Sequence, residues 1–441
     1  MKKFLASLVL FSGLAFGGAG ALANEEEKDY LVIFSSQSVN EETVAELEAA
    51  GAEVVQEVPQ IGVMTVRSSD PDFADWANGL DTITSVTEDL EIRSPEEEVD
   101  IQADSRVSDI TEGADLYEQY QWDIKRVTNN GEAWEVNAGS HDVFVAVIDT
   151  GVDFTHPDLQ DNLLFGKAFH PQNQPGDELR DSGTHGTHVA GSIAANGRVL
   201  GVGPELGIAS YRVTNNQGRM NWGGILEAIT TAADDGAVSA NLSLGTYSIM
   251  NNEQQRALHQ SSARAVRYAQ SKGMMIVGAN GNDAINLGQK MHTVPGEGAQ
   301  WAGPLFDTFT DIPWVISVSS TTTRDTLSYF SNYGNVDLSA PGGDWGPNWP
   351  NAAGDRDLQV TEARAYSTIP VSRGSYGWAM GTSMAAPKVA AAIGVVKSEY
   401  PHMKPAQIRT LLQQTADMPG IGRDRQYFGH GIVNVYNALN R

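Results

Sequence analysis

Three short strings carry residues whose types and order could perform acyl transfer: Val147-Ile-Asp149-Thr-Gly151, His185-Gly-Thr-His188-Val-Ala-Gly191 and Gly381-Thr-Ser383-Met-Ala-Ala-Pro387. A hydroxyl is a weak nucleophile at neutral pH. Ser383 therefore needs an imidazole to take its proton, and that imidazole needs a buried carboxylate to hold its tautomer and stabilise its cation. Asp149, His185 and Ser383 offer these groups in the chain order Asp, His, Ser, one of three orders in which such triads occur. The oxyanion formed on attack needs a donor beside the Ser383 N–H.

These groups must be delivered by regular elements. The apolar run from Val143 to Ile148 predicts a buried parallel strand that presents Asp149 at its C-terminal end. The stretch from Thr184 to Ala195 puts small residues around His185 and continues as a helix. Gly381 to Pro387 resembles a nucleophile turn entering a buried helix, where Ser383 would sit at the helix N-terminus among unpaired N–H groups.

In their order and local composition the strings resemble the subtilase family of serine endopeptidases. The resemblance runs from about Leu116 to the C-terminus, through Phe330-Ser-Asn-Tyr-Gly, Leu338-Ser-Ala-Pro-Gly and Gly429-His-Gly-Ile-Val-Asn. It implies an α/β fold: a subtilisin-like parallel sheet flanked by helices on both faces. It implies Asn282, from the Gly-Asn-Asp string, as the oxyanion donor, with Asn280 in place of a small residue lining the pocket. It also implies that substrate adds as a strand to two edges, Gly218-Arg219-Met220 and Ser243-Leu244-Gly245, although Arg219 and Met220 stand where small residues are common.

Other chemistries fit less of the chain. His185 and His188 as a metal pair would need at least a third ligand, and there is neither a His-Glu-x-x-His string nor any Cys. Asp149-Thr-Gly and Asp181-Ser-Gly look like the paired motifs of an aspartic protease, whose carboxylates share a proton. They lie 32 residues apart in a chain that alternates strand and helix patterns, and that reading leaves His185 and Ser383 unused. An inactive peptide-binding relative would require a damaged site, whereas every triad residue is present.

Residues 1–23 have the three parts of a secretory signal: Lys2-Lys3, an apolar run from Phe4 to Phe16 and Ala21-Leu-Ala23 as a small-x-small cleavage site. Export as a soluble extracellular protein is the expectation. Net charge is −26, and between Asn24 and Glu98 there are 20 acidic against 3 basic residues. Such acidity argues against nucleic acid or an anionic membrane as partner. The acidic stretch is patterned: strands are predicted at 30–35, 62–66 and 83–92, and helices at 41–50 and 72–80. That order resembles the small α+β, ferredoxin-like inhibitory propeptide domain that precedes subtilase catalytic domains.

The expected organisation is a propeptide over 24–98, a linker and processing region over 99–115 and a catalytic domain over 116–441. The chain's own propeptide would act as intramolecular inhibitor of a monomeric enzyme. Autoprocessing is expected between Glu96 and Val107, with Glu96, Glu97 and Glu98 as the processing residues. No cofactor is required by this chemistry, and structural calcium is left open. The loop Ala195-Asn-Gly-Arg-Val-Leu-Gly-Val, where many subtilases hold an ion, is short and carries no carboxylate.

Gln121-Trp-Asp-Ile-Lys-Arg-Val-Thr-Asn-Asn-Gly131 resembles the domain-opening segment of lantibiotic leader peptidases, a subtilase subgroup. A broad degradative protease is the alternative. The segment from Asn286 to Asp311 is long for a connection after the oxyanion strand and could shape the first specificity pocket. A cut after Glu96, Glu97 or Glu98 would imply a carboxylate at P1, with Lys290 or His292 as counter-charge.

Overall fold

The computed structural model describes residues 27–93, 101–105, 113–249, 253–289, 291–293, 300–302, 305–351, 355–420 and 424–441. The signal-like residues 1–23 and the glutamates Glu96, Glu97 and Glu98 lie outside this set.

A seven-stranded parallel sheet organises the larger part of the chain. Its order is Leu338–Pro341, Ile316–Thr321, Met275–Ala279, Ser239–Leu242, Phe144–Asp149, Gly207–Arg212 and Leu163–Ala168. The apolar run that ends at Asp149 lies inside the sheet, between Ser239–Leu242 and Gly207–Arg212. Its alternate side chains enter different cores, as the two-residue period of a strand requires. Val145 and Val147 pack with the helices His185–Ala194 and Thr382–Glu399. Ala146 and Ile148 pack on the opposite face with Trp222–Asp234 and Glu253–Lys272. Both faces are covered, so the strands can be continuously apolar.

Residues 28–88 form a four-stranded antiparallel sheet of order Glu53–Val58, Val63–Ser68, Lys28–Phe34 and Ile83–Glu88, with helices Glu41–Ala49 and Phe73–Ala77. Asn40 caps the first helix, its side chain accepting from the Thr43 N–H at 2.9 Å. Tyr30, Val32, Phe34, Leu47 and Phe73 make a core of their own. Leu31, Ile33, Val58 and Val63 point the other way and join the core beneath Trp222–Asp234 and Glu253–Lys272. This small sheet therefore completes its second apolar face against the larger unit.

Two local expectations are revised. Glu53–Val58 is a strand that the periodicity missed, because Glu53, Gln56 and Glu57 interrupt its apolar pattern. The single strand expected over 83–92 is two, Ile83–Glu88 and Glu91–Arg93, and the second leaves the small sheet to pair with Arg219–Asn221. The break falls where Asp89 turns its carboxylate to the first N–H groups of Trp222–Asp234, accepting from Trp222 N at 2.9 Å.

Candidate active site

Asp149 sits at the C-terminal end of its strand with no exposed surface. Its Oδ1 accepts from the Thr150 N–H at 2.7 Å and lies 2.8 Å from His185 Nδ1, with Oδ2 at 3.0 Å. His185 is the first residue of its helix and is equally buried. The close approach of these elements explains two glycines. A Cβ on Gly186 would stand 2.1 Å from the Gly151 carbonyl oxygen, and Gly151 itself has a φ of 106°, in the left-handed region.

Asp181 does not face Asp149 as a proton-sharing partner. Its carboxylate accepts from Thr150 Oγ1 and Thr187 Oγ1, both at 2.6 Å, and from the Thr187 and Gly183 N–H groups at 2.8 and 2.9 Å. It ties the turn after Asp149 to the first turn of the His185 helix. Burial pushes its pKa up to about 6 against these hydrogen bonds. His188, three residues beyond His185, is buried beside Lys388; burial first and that ammonium second push its pKa down to about 3.

Ser383 is the second residue of Thr382–Glu399. Its Oγ lies 3.4 Å from the Ser243 carbonyl oxygen, while Ser243 Oγ donates to the Ser383 carbonyl at 2.9 Å. Asn241 donates to Ser243 Oγ at 2.9 Å, so the end of the neighbouring strand and the turn holding Ser383 are one hydrogen-bonded unit. Leu244 is buried and Gly245 exposed, at the C-terminal end of Ser239–Leu242.

The two asparagines behave differently. Asn282 Oδ1 accepts from Thr382 N at 2.9 Å and Thr382 Oγ1 at 3.0 Å, and the planar amide therefore turns its Nδ2 away from Thr382. Asn280 is fully buried, its Oδ1 3.4 Å from Thr310 Oγ1. One group at this turn escaped the sequence reading. The Tyr247 hydroxyl donates to Asp283 and accepts from Asn332 Nδ2 at 2.6 Å, and Asn332 Nδ2 also reaches the Asn280 carbonyl at 2.8 Å. Asn332 was visible in the Phe330-Ser-Asn-Tyr-Gly string, but nothing local pointed to Tyr247.

Arg219–Asn221 pairs antiparallel with Glu91–Arg93 in the register Arg219↔Arg93, Met220↔Ile92 and Asn221↔Glu91. The first of the two expected substrate edges thus holds a peptide of the same chain. Lys290 and the side chain of His292 lie outside the described residues, and the titratable neighbours described beside Tyr247 are the carboxylates Asp283 and Asp307.

The loop after the His185 helix, which carries no carboxylate of its own, is held by one from a distant position. Asp158 accepts from the Val199 N–H at 2.9 Å and from the Tyr376 hydroxyl at 3.0 Å. Among the described residues no group of three or more His, Asp or Glu side chains gathers as a metal site, and no helix is long and apolar enough to cross a membrane.

The seven-stranded parallel sheet, covered on both faces by helices, with Asp149 and His185 in contact at a strand end and Ser383 in the first turn of its helix, sets the frame for comparison. Residues 140–431 match the subtilase family, peptidase S8, and the chain belongs to that family of serine proteases. It is 27% identical to the epidermin leader peptide-processing serine protease of Staphylococcus epidermidis, over 95% of this chain and 94% of that one. It is 30% identical to the nisin leader peptide-processing serine protease of Lactococcus lactis subsp. lactis, over 77% of this chain and 51% of that longer protein. Thermitase of Thermoactinomyces vulgaris is 33% identical over 70% of this chain and 92% of its own. The crystal structure of the epidermin leader peptide processing protease from Staphylococcus aureus superposes with a TM-score of 0.78 at 26% identity, covering 94% of this chain and 98% of that one.

Proposed function

We propose that the protein is an exported, self-processing zymogen of a serine endopeptidase that removes the leader from a lantibiotic-type peptide. The observation that carries the zymogen reading is the strand Glu91–Arg93 lying antiparallel on Arg219–Asn221, where a substrate would add. Residues 24–98 act as the inhibitory domain and the chain works as a monomer. The cut falls in the stretch that holds Glu96, Glu97 and Glu98. The leader-peptidase reading draws on the near full-length match to the epidermin enzyme.

In this mechanism Ser383 Oγ attacks the scissile carbonyl as His185 takes its proton. The cation on His185 is stabilised through Nδ1 by Asp149, 2.8 Å away. The Ser383 N–H and Asn282 Nδ2 hold the oxyanion, the latter aimed by the two Thr382 bonds to Oδ1. His185 then protonates the leaving amine, and water releases the acyl group by the reverse sequence. Gly218, Arg219 and Met220 bind one side of the peptide backbone, and Ser243, Leu244 and Gly245 the other.

The deciding comparison is wild type against Ser383→Ala. The mutant should accumulate as one uncut chain, while the wild type yields a smaller active product and cleaves a lantibiotic precursor at its leader junction far faster than casein. A wild-type product that keeps residues 27–93 covalently attached contradicts the zymogen reading. Equal turnover of casein and precursor would favour a broad degradative protease instead.

A further inference from the structure

The strand Tyr376–Ala379 leads through Met380, Gly381 and Thr382 into Ser383. On one side it pairs with Ala365–Thr368. Its other edge is also taken: Gly377 and Trp378 pair antiparallel with Ala103 and Gln102. Asp104 completes the contact, its N–H donating to the Tyr376 carbonyl at 2.9 Å and its carboxylate accepting from the Tyr366 hydroxyl at 3.1 Å. Asp104 is 7% exposed. Burial, and next the charge of Asp104, raise the Tyr366 pKa, so this hydroxyl stays protonated and able to donate.

The fit is specific to this segment. A Cβ on Gly377 would stand 2.9 Å from the Gln102 carbonyl oxygen, and one on Gly374 would touch Ala103 Cβ at 3.3 Å. Arg93 and Gln102 thus belong to different sheets, one pairing with Arg219 and the other with Trp378. A free chain end ordinarily frays unless strand pairing or side-chain bonds tie it down. Here both hold Gln102–Asp104, inside the stretch 99–115 that was expected to be linker.

We infer that Gln102–Asp104 is a permanent third strand of this sheet: the outer edge of Tyr376–Ala379 is a docking edge whose occupant is the processed enzyme's own N-terminal segment. This rests on the self-processing reading above and narrows it, because the mature enzyme then begins N-terminal to Gln102 and keeps that segment after residues 27–93 depart. An occupied edge also prevents a substrate peptide from adding to the strand that delivers Ser383.

The test is intact-mass analysis of the processed wild-type chain, followed by timed digestion with a non-specific aminopeptidase. The large fragment should start at or before Gln102, and trimming should stall there. In Asp104→Ala and in the milder Tyr366→Phe, trimming should run past residue 104 at least fivefold faster. A large fragment that starts beyond Asp104, or identical trimming in wild type and both variants, overturns the inference. The same digestion on Ser383→Ala chain, cut in its linker by an added glutamyl-specific protease, decides the point without self-processing. If wild type remains as uncut as Ser383→Ala, the self-processing reading fails by itself, while the trimming of the externally cut chain still judges the docked strand.

Discussion

Lys388, five residues beyond Ser383 on the same helix, forms a fully buried ion pair with Asp123, Nζ to Oδ2 at 2.8 Å. Lys388 Nζ also donates to the Met384 carbonyl at 2.8 Å, one turn back toward Ser383. Asp123 belongs to the Gln121-Trp-Asp-Ile segment. Its neighbours make similar long-range ties: Gln121 Nε2 donates to the Leu200 and Tyr366 carbonyls at 2.9 and 3.1 Å, and Trp122 Nε1 to that of Arg364 at 3.0 Å. The segment that resembles leader peptidases is, in this structure, a packing key that locks the helix of Ser383.

Removing one member of that pair strands the other charge in the core. Lys388→Met or Asp123→Leu in a Ser383→Ala background should cost about 3–5 kcal/mol of unfolding free energy in urea denaturation. The Lys388→Met/Asp123→Leu double variant should recover most of it, since both desolvation costs disappear together. Additive losses in the double variant would show that the pair is not the cause.

Asn282 and Asn280 are expected to separate in kinetics. With Asn282 as the proposed oxyanion donor, Asn282→Ala should lower kcat by about 10²- to 10³-fold with KM little changed, the pattern of a group that acts on the oxyanion rather than on bound substrate. Asn280→Ala should fall mainly on stability, as its side chain is buried against Thr310. The reverse pattern of kcat values would exchange their roles.

Asp181 is a structural carboxylate, so its loss should loosen the seat of His185. Asp181→Ala is expected to destabilise the protein by about 1.5–3 kcal/mol, the range for hydrogen bonds to a charged group, and to lower kcat through a less ordered His185 helix. Sensitivity to a serine-directed phosphonate should persist, and pepstatin should have no effect. Inhibition by pepstatin would restore the aspartic-protease chemistry.

Release of residues 27–93 should depend on pH through Asp89. Its carboxylate is enclosed by Thr65, Asn221 and the N–H groups of Trp222 and Gly223. Burial raises its pKa from 3.8 to about 6. The docked state therefore favours the protonated acid: the contact is strongest below about pH 4, weakens as pH rises toward 6 and is level above it. Because the residue as a whole is only half-buried, a tenfold weakening is a reasonable scale, the equivalent of about one pKa unit. Linker-cut Ser383→Ala protein, followed by size exclusion from pH 4 to 8, should show this trend, and Asp89→Asn should flatten it. Tighter retention at pH 8 than at pH 4 would contradict it.

Much of the scaffold of the candidate site was legible along the chain because its parts are local. A strand ending in Asp149-Thr-Gly, a helix opening at His185 and a small-residue turn around Ser383 each declare themselves within about seven residues, through side-chain period and glycine placement. The family resemblance needed only those strings in order. The α/β architecture was implied by that resemblance, and the apolar run ending at Asp149 gave one of its buried parallel strands.

What depends on distant partners left no local trace. Lys388 finds Asp123, Asp158 closes the loop at Val199, Tyr247 meets Asp283 and Asn332, and Gln102 pairs with Trp378, each across a long stretch of sequence. Asp89 looks like one more acid in an acidic segment until the Trp222 helix presents its N–H groups. A residue's type and spacing fix what it is able to donate, accept or ionise. Which group it meets, and how deeply the meeting is buried, is decided only when the sheet brings remote strands and helix ends into contact.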